Sequence, residues 1–182
     1  MTIVEPVQPA RVVKGTDLSP RYFGELLSIL QANWEDTDPY LDDIARVIHN
    51  AGEDMLVSII GGRIDGVLRT KRIRADGDPS LVPATFEQLV GPYWSRCDRD
   101  PDTRILVDLT KRSDASGVAR TLIPEGLSRF PEPNFGTFSP ESAVGLHIRL
   151  GASAVRYIPN GRPRRQPSNV VVMSYRGFAA PN

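Results

Sequence analysis

The chain has 182 residues, and its 22 Lys plus Arg balance 22 Asp plus Glu for a formal charge of zero. That length fits one domain with a buried core, and the charge balance offers no field for a polyanion, which argues against nucleic acid or a membrane surface as partner. Cys97 is the lone cysteine, so no internal disulfide can form. No apolar run nears the ~20 residues that a bilayer span needs, and Met1 to Ala10 lacks the apolar centre of a signal peptide. A cytoplasmic protein with a small-molecule partner is expected, with a homodimer left open.

In chain order, residues 1–10, with Pro6 and Pro9, read as a flexible leader before a single domain over residues 11–182. Arg11 to Gly15 suits a first strand. Asp17 to Asn33 follows as a helix, with Asp17 or Ser19 to cap it, Pro20 in its first turn and Phe23, Leu26, Leu27 and Leu30 on one apolar face. Pro39 opens a second helix with a stripe of Tyr40, Ile44, Val47 and Ile48, and Gly52 is its expected stop. His49 at its end has no second ligand at metal spacing and reads as a surface residue, so no metal site is expected. Asp54 to Ile60, Gly61-Gly62 and Arg63 to Arg74 read as two strands joined by a tight hairpin.

A polar loop over Asp76 to Pro83 leads to a short helical turn, Pro83 to Leu89, and to the aromatic pair Tyr93 and Trp94, a satellite core or a substrate wall. Arg104 to Phe130 then passes from strand to turn to helix. Ile105 to Leu109 is the strand, on which alternation puts Asp108 and Thr110 on one face. Ser113, Asp114, Ser116 and Gly117 mark the turn, and a helix from Gly117 to Phe130 contains Pro124, which should kink it. The start of that helix would offer free backbone amides and the positive end of the helix dipole, with Gly117 and Ala119 leaving room for a diphosphate. Phe135 to Phe138 reads as a strand. Ser139 as cap and Pro140 as first helical residue introduce a helix from Glu141 to Leu150 that carries His147. Ala154 to Ile158 and Asn169 to Tyr175 would be the closing strands, around a loop with Arg162, Arg164 and Arg165.

The turn D-A-S-G-V-A, Asp114 to Ala119, resembles the pyrophosphate loop of the GNAT acyl-coenzyme A transferases, in which Gln or Arg, two residues, Gly, one residue, and Gly or Ala succeed one another. Gly117 and Ala119 match its small positions and Arg120 follows as a basic residue; Asp114 departs from the Gln or Arg. Downstream, SAVGLHIRLGA resembles the family's A-x-x-L-Y-x-x-x-G-F helix at Ala143, Leu146, Arg149 and Gly151, with His147 where the family has a Tyr that often protonates the departing thiolate. The hairpin resembles the family's second and third strands, with Gly66 as the small residue just inside the third.

The resemblance implies an α/β fold, a GNAT-like mixed and twisted sheet of six or seven strands with helices on both faces. It implies acetyl-CoA or coenzyme A as cosubstrate, held by Leu109, Thr110, Asp114, Ser116, Gly117, Val118, Ala119 and Arg120, and a small amine or acyl acceptor lined by Trp94 and Arg162. His147 is the expected acid. Asp108 is the candidate base for the amine, beside the reading that it merely pairs with a neighbouring Arg or Lys. N-acyl transfer of an acetyl-sized group is the first reading. Small GNAT-fold decarboxylases of malonyl thioesters are similar in using a His with a Thr, here His147 and Thr110, with Arg162 for a carboxylate. A non-catalytic acyl-CoA-binding module is the third.

Overall fold

A computed structural model describes residues 9–33, 44–72, 103–162 and 168–177. Tyr40, the expected 76–89 loop and turn, Tyr93, Trp94, Cys97, Arg164 and Arg165 lie outside the described residues. The strands form a seven-stranded mixed sheet in the order β1-β2-β3-β4-β5-β7-β6, where β1 is Arg11–Lys14, β2 Met55–Ile60, β3 Arg63–Arg72, β4 Thr103–Lys111, β5 Asn134–Pro140, β6 Ser153–Arg162 and β7 Ser168–Arg176. Four α-helices are described, α1 Phe23–Asn33, α2 Ile44–Ala51, α3 Val118–Arg129 and α4 Val144–Arg149. The α/β class and the strand count agree with the expectation. Among the described residues no helix is long and apolar enough to cross a membrane. The chain divides into two compact units, residues 1–69 with 109–126 and residues 70–108 with 127–182.

In the first unit the hairpin turns on Gly61 and Gly62, both at positive φ (57° and 77°), the pairing of signs that a two-residue turn matched to strand twist requires. Tyr22, Leu26, Ile29 and Leu30 of the α1 region and Val47 of α2 bury against Val13, Met55, Val57, Ile59, Ile64 and Val67. The buried stripe is therefore rotated from the expected one, with Leu27 only half-buried. The segment before α1 is not continuous helix: Gly15–Asp17 and Pro20–Tyr22 are separate 3-10 turns, and Ser19 precedes the second without a side-chain cap bond. Gly52 stops α2 after Ala51, as expected, and opens a 3-10 turn, Gly52–Asp54, in which it alone is buried; a Cβ there would stand 3.0 Å from the Thr16 amide.

In the second unit β5 is flanked by parallel β4 and antiparallel β7, and β7 in turn pairs with β6. Ser139 and Pro140 end β5 rather than serving as cap and first helical residue: they pair with Val171 and Val170, the Ser139 hydroxyl donates to the Pro140 carbonyl at 3.0 Å, and Pro140 itself stands at the cap of the 3-10 turn that follows. The expected helix over Glu141 to Leu150 splits into a 3-10 turn, Glu141–Ala143, and α4.

Two arginines, Arg104 buried and Arg176 half-buried, tie this unit together. Arg104 makes a two-pronged ion pair with Glu132 (2.9 and 2.7 Å), donates to the Thr70 hydroxyl at 2.7 Å and lies 4.0 Å over the Phe130 ring. Arg176 donates to the carbonyls of Leu127, Phe130 and Glu132, taking up acceptors at and just beyond the end of α3 that no helical amide can reach.

Candidate active site

The turn before α3, in the first unit, is fixed by a bulge. Ser58 pairs with Gly66 but Ile59 with Ile64, so Asp65 is a surplus residue on β3, and bulges re-aim the side chain they carry. The Asp65 carbonyl accepts from the Arg112 amide at 3.0 Å, and its carboxylate accepts from the Arg112 guanidinium at 3.2 Å. Arg112 also donates to the Ile64 carbonyl and to the Asp114 carboxylate. Lys111 reaches back over the turn to the Ala115 carbonyl at 2.9 Å. Asp114 is thus turned onto Arg112, not onto the amides of α3, and the hydrogen bond from Arg112 holds its carboxyl below the usual range.

The start of α3 offers donors. The Gly117 carbonyl accepts the first helical bond, from Thr121 at 3.2 Å, while no described residue accepts from the amides of Ser116, Gly117, Val118, Ala119 or Arg120. Gly117 takes φ of 73° and a side chain on it would meet nothing within 4 Å, so open space lies beside Gly117 within this run of amides. A helix N-terminus with unclaimed amides attracts anions through both hydrogen bonds and the helix dipole. Gly66 lets the helix seat so closely: a Cβ there would stand 2.3 Å from Val118 and 2.8 Å from the Thr110 carbonyl. Thr110 itself is buried, and its hydroxyl has no hydrogen-bond partner. The residues present therefore fit a diphosphate.

In the second unit β4 and β5 part. Their parallel pairing runs from Thr103↔Asn134 to Leu106↔Thr137 and ends there, though both strands run on. The Thr137 hydroxyl donates to the Leu106 carbonyl at 3.0 Å and closes the ladder. Val107, Asp108 and Leu109 are half-buried although β4 is an interior strand.

His147 is 7% exposed, and its Nδ1 lies 2.5 Å from the Tyr175 hydroxyl with the rings edge to face at 5.9 Å. Its helix ends in a turn that demands glycine: Ala152 donates to the His147 carbonyl and Gly151, at φ 92°, to that of Ile148, the paired bonds of a Schellman cap. The glycine of the sequence motif is this cap, and it fixes the His147 backbone. Burial pushes the imidazole below its ordinary pKa and the Tyr175 phenol above its own, so at neutral pH the imidazole is neutral and the phenol protonated.

The structure brings Ser116 to Arg120 together at one helix start and His147 onto Tyr175; Asp108 lies half-buried where β4 leaves β5. Trp94 is outside the described residues, Arg162 closes β6, and His49 is exposed. Tyr175, Asp65 and Arg112 were not found from the sequence, since each acts through a partner far away in the chain.

No protein-family profile matches the chain, and no curated protein matches it in sequence. Solved structures do match. A GNAT-family acetyltransferase from Bacillus cereus is similar at 13% identity over 92% of this chain and 97% of its own, with a TM-score of 0.60. A Drosophila melanogaster polyamine N-acetyltransferase that forms N-acetylagmatine is similar at 11% identity over 91% and 98%, with a TM-score of 0.64. The NatC complex bound to a Gag peptide and CoA is similar at 10% identity over 92% and 98%, with a TM-score of 0.57. At these identities the likeness shows the fold: the chain has the GNAT fold along nearly its whole length.

Proposed function

We propose that the chain is an acyl-CoA-dependent N-acyltransferase that moves an acetyl-sized group to a small amine. The run of unclaimed amides from Ser116 to Arg120, with open space beside Gly117, carries this reading, because it is built for a diphosphate and coenzyme A brings one. Coenzyme A would supply the activated thioester. The chain's own residues bind and manage protons: the α3 amides hold the anion, Asp108 takes the proton the amine must lose, directly or through water, and the His147–Tyr175 pair supplies one to the leaving sulfur. The fold neighbours that act on a polyamine and bind CoA support the substrate class.

Asp114 tunes the anion site. Its carboxylate already serves Arg112, so Asp114→Gln should remove a repulsive charge without loosening the turn, which Asp65 also holds. Calorimetry should show coenzyme A binding tighten by about threefold, the scale of one screened surface charge; weaker binding would mean that the Arg112–Asp114 pair shapes the amides.

The reaction is tested by incubating the protein with acetyl-CoA and with malonyl-CoA alone, then with a panel of a polyamine, an arylalkylamine and a free peptide N-terminus, and weighing the products. Acetylated amine with release of coenzyme A is the expected result. Carbon dioxide release from malonyl-CoA without amine would mark a decarboxylase, and binding without either reaction would mark an acyl-CoA-binding module; each would overturn acyl transfer.

A further inference from the structure

We propose that Asp65 is a positioning residue for coenzyme binding: by gripping Arg112 it aims the amides of Ser116 to Arg120 at the anion, although its own charge opposes that anion. This role rests on the coenzyme reading of the α3 amides. Three consecutive residues of β3 seat both ends of the turn, all within the first unit. The Ile64 carbonyl accepts from the Arg112 guanidinium at 3.2 Å, buried Asp65 takes the Arg112 amide on its carbonyl and the guanidinium on its carboxylate, and Gly66 admits Val118 where any side chain would collide. The bulge makes this seat possible, because its surplus residue has no opposite number on β2 and is free to turn toward the loop. A second mark of a ligand lies beside it. The Thr110 hydroxyl, 4% exposed, has no partner among the described residues, and the Thr110 carbonyl stands 2.8 Å from where a Gly66 Cβ would be.

Between its two anchors the turn alternates. Arg112 is half-buried and Ala115 and Val118 are buried, so every third residue is pinned inward, while Ser113, Asp114, Ser116 and Gly117 lie exposed. Lys111 pins the middle, its ammonium holding the Ala115 carbonyl at 2.9 Å; in a planar trans peptide the N–H points opposite to the C=O, so the Ser116 amide is turned away from Lys111. Arg112 is not itself a phosphate ligand. Its guanidinium is engaged by Asp65 and Asp114, with Glu25 at 3.9 Å, so carboxylates already neutralise it. Two effects of Asp65 therefore oppose each other when coenzyme binds. The repulsion is one charge that Arg112 pairs, whereas the grip sets the direction of several amide bonds to an anion, each stronger than a neutral bond. Positioning wins.

The sign of the mutational effect separates the two. Calorimetry with coenzyme A, and with inorganic pyrophosphate as the probe of the amides alone, should show Asp65→Ala binding both about tenfold more weakly, the scale of one lost charge-assisted hydrogen bond. Asp65→Asn keeps an oxygen for Arg112 and should stay within about threefold of wild type. Arg112→Lys keeps the cation but loses the fork that spans Ile64 and Asp65, so it should also bind about tenfold more weakly. The double variant of Asp65→Ala and Arg112→Lys should bind no worse than either single one, because the pair acts as a unit. Should Asp65→Ala fail to melt cooperatively, Arg112→Lys decides alone. Unchanged or tighter binding in Asp65→Ala, full affinity in Arg112→Lys, or losses that multiply in the double variant overturn the role and leave the coenzyme reading intact; wild type that binds neither probe overturns both.

Discussion

Glu132→Ala should destabilise the protein by about 3–5 kcal/mol, the cost of breaking a buried ion pair from one side. The carboxylate is 5% exposed and is gripped on both oxygens by Arg104, itself 7% exposed, so its removal strands a buried guanidinium beside Phe130 and Thr70. Arg72, 3.6 Å from the same carboxylate but half in solvent, adds little. The sign of the pH dependence follows. Burial opposes ionisation of Glu132, yet the hydrogen bonds from Arg104 outweigh it and hold the carboxyl below its ordinary value of 4.5. The pair's stability is therefore fully present above about pH 4.5 and is lost as pH falls through the lower folded value. Urea titrations should show a wild-type advantage over Glu132→Ala that is constant near neutrality and shrinks in acid. A neutral-pH loss under about 1 kcal/mol would show that Arg104 finds water or another acceptor.

His147→Phe should lower turnover with acetyl-CoA by about 100-fold while leaving coenzyme A affinity within about twofold. The ring keeps its bulk but the hydrogen-bond partner of the Tyr175 hydroxyl disappears, so the pair can no longer pass a proton. Groups that act as a unit are not additive in their loss. The double variant with Tyr175→Phe should therefore be no slower than either single variant, whereas a product of the two losses would show independent roles. Steady-state rates with acetyl-CoA decide this.

Local chemistry made much of the fold legible. Gly61-Gly62 could only be a hairpin, and Gly117 and Gly151 announced two helix boundaries because each occupies a positive-φ position. The Ser139-Pro140 pair misled because a hydroxyl before proline signals a helix start as well as it suits a strand end, and ladder pairing with β7 decided the matter. What stayed hidden was long-range. Tyr175 meets His147 and Arg104 meets Glu132 across 28 residues in each case, and the Asp65 bulge depends on the register of β2 against β3. No local pattern encodes such partners. Asp114 was legible as a departure from the motif, but its engagement by Arg112 was not.

The central claim is that the amides from Ser116 to Arg120 hold the diphosphate of coenzyme A. Gly117→Val tests it most directly, because a side chain there meets no neighbour, yet a β-branched residue strains at φ 73° and would re-aim the amide run. Calorimetric titration with coenzyme A should show saturable binding to wild type and binding weaker by about 100-fold in Gly117→Val, with inorganic pyrophosphate competing only in wild type. Unchanged coenzyme A affinity in Gly117→Val, in a protein that melts normally, would contradict the account.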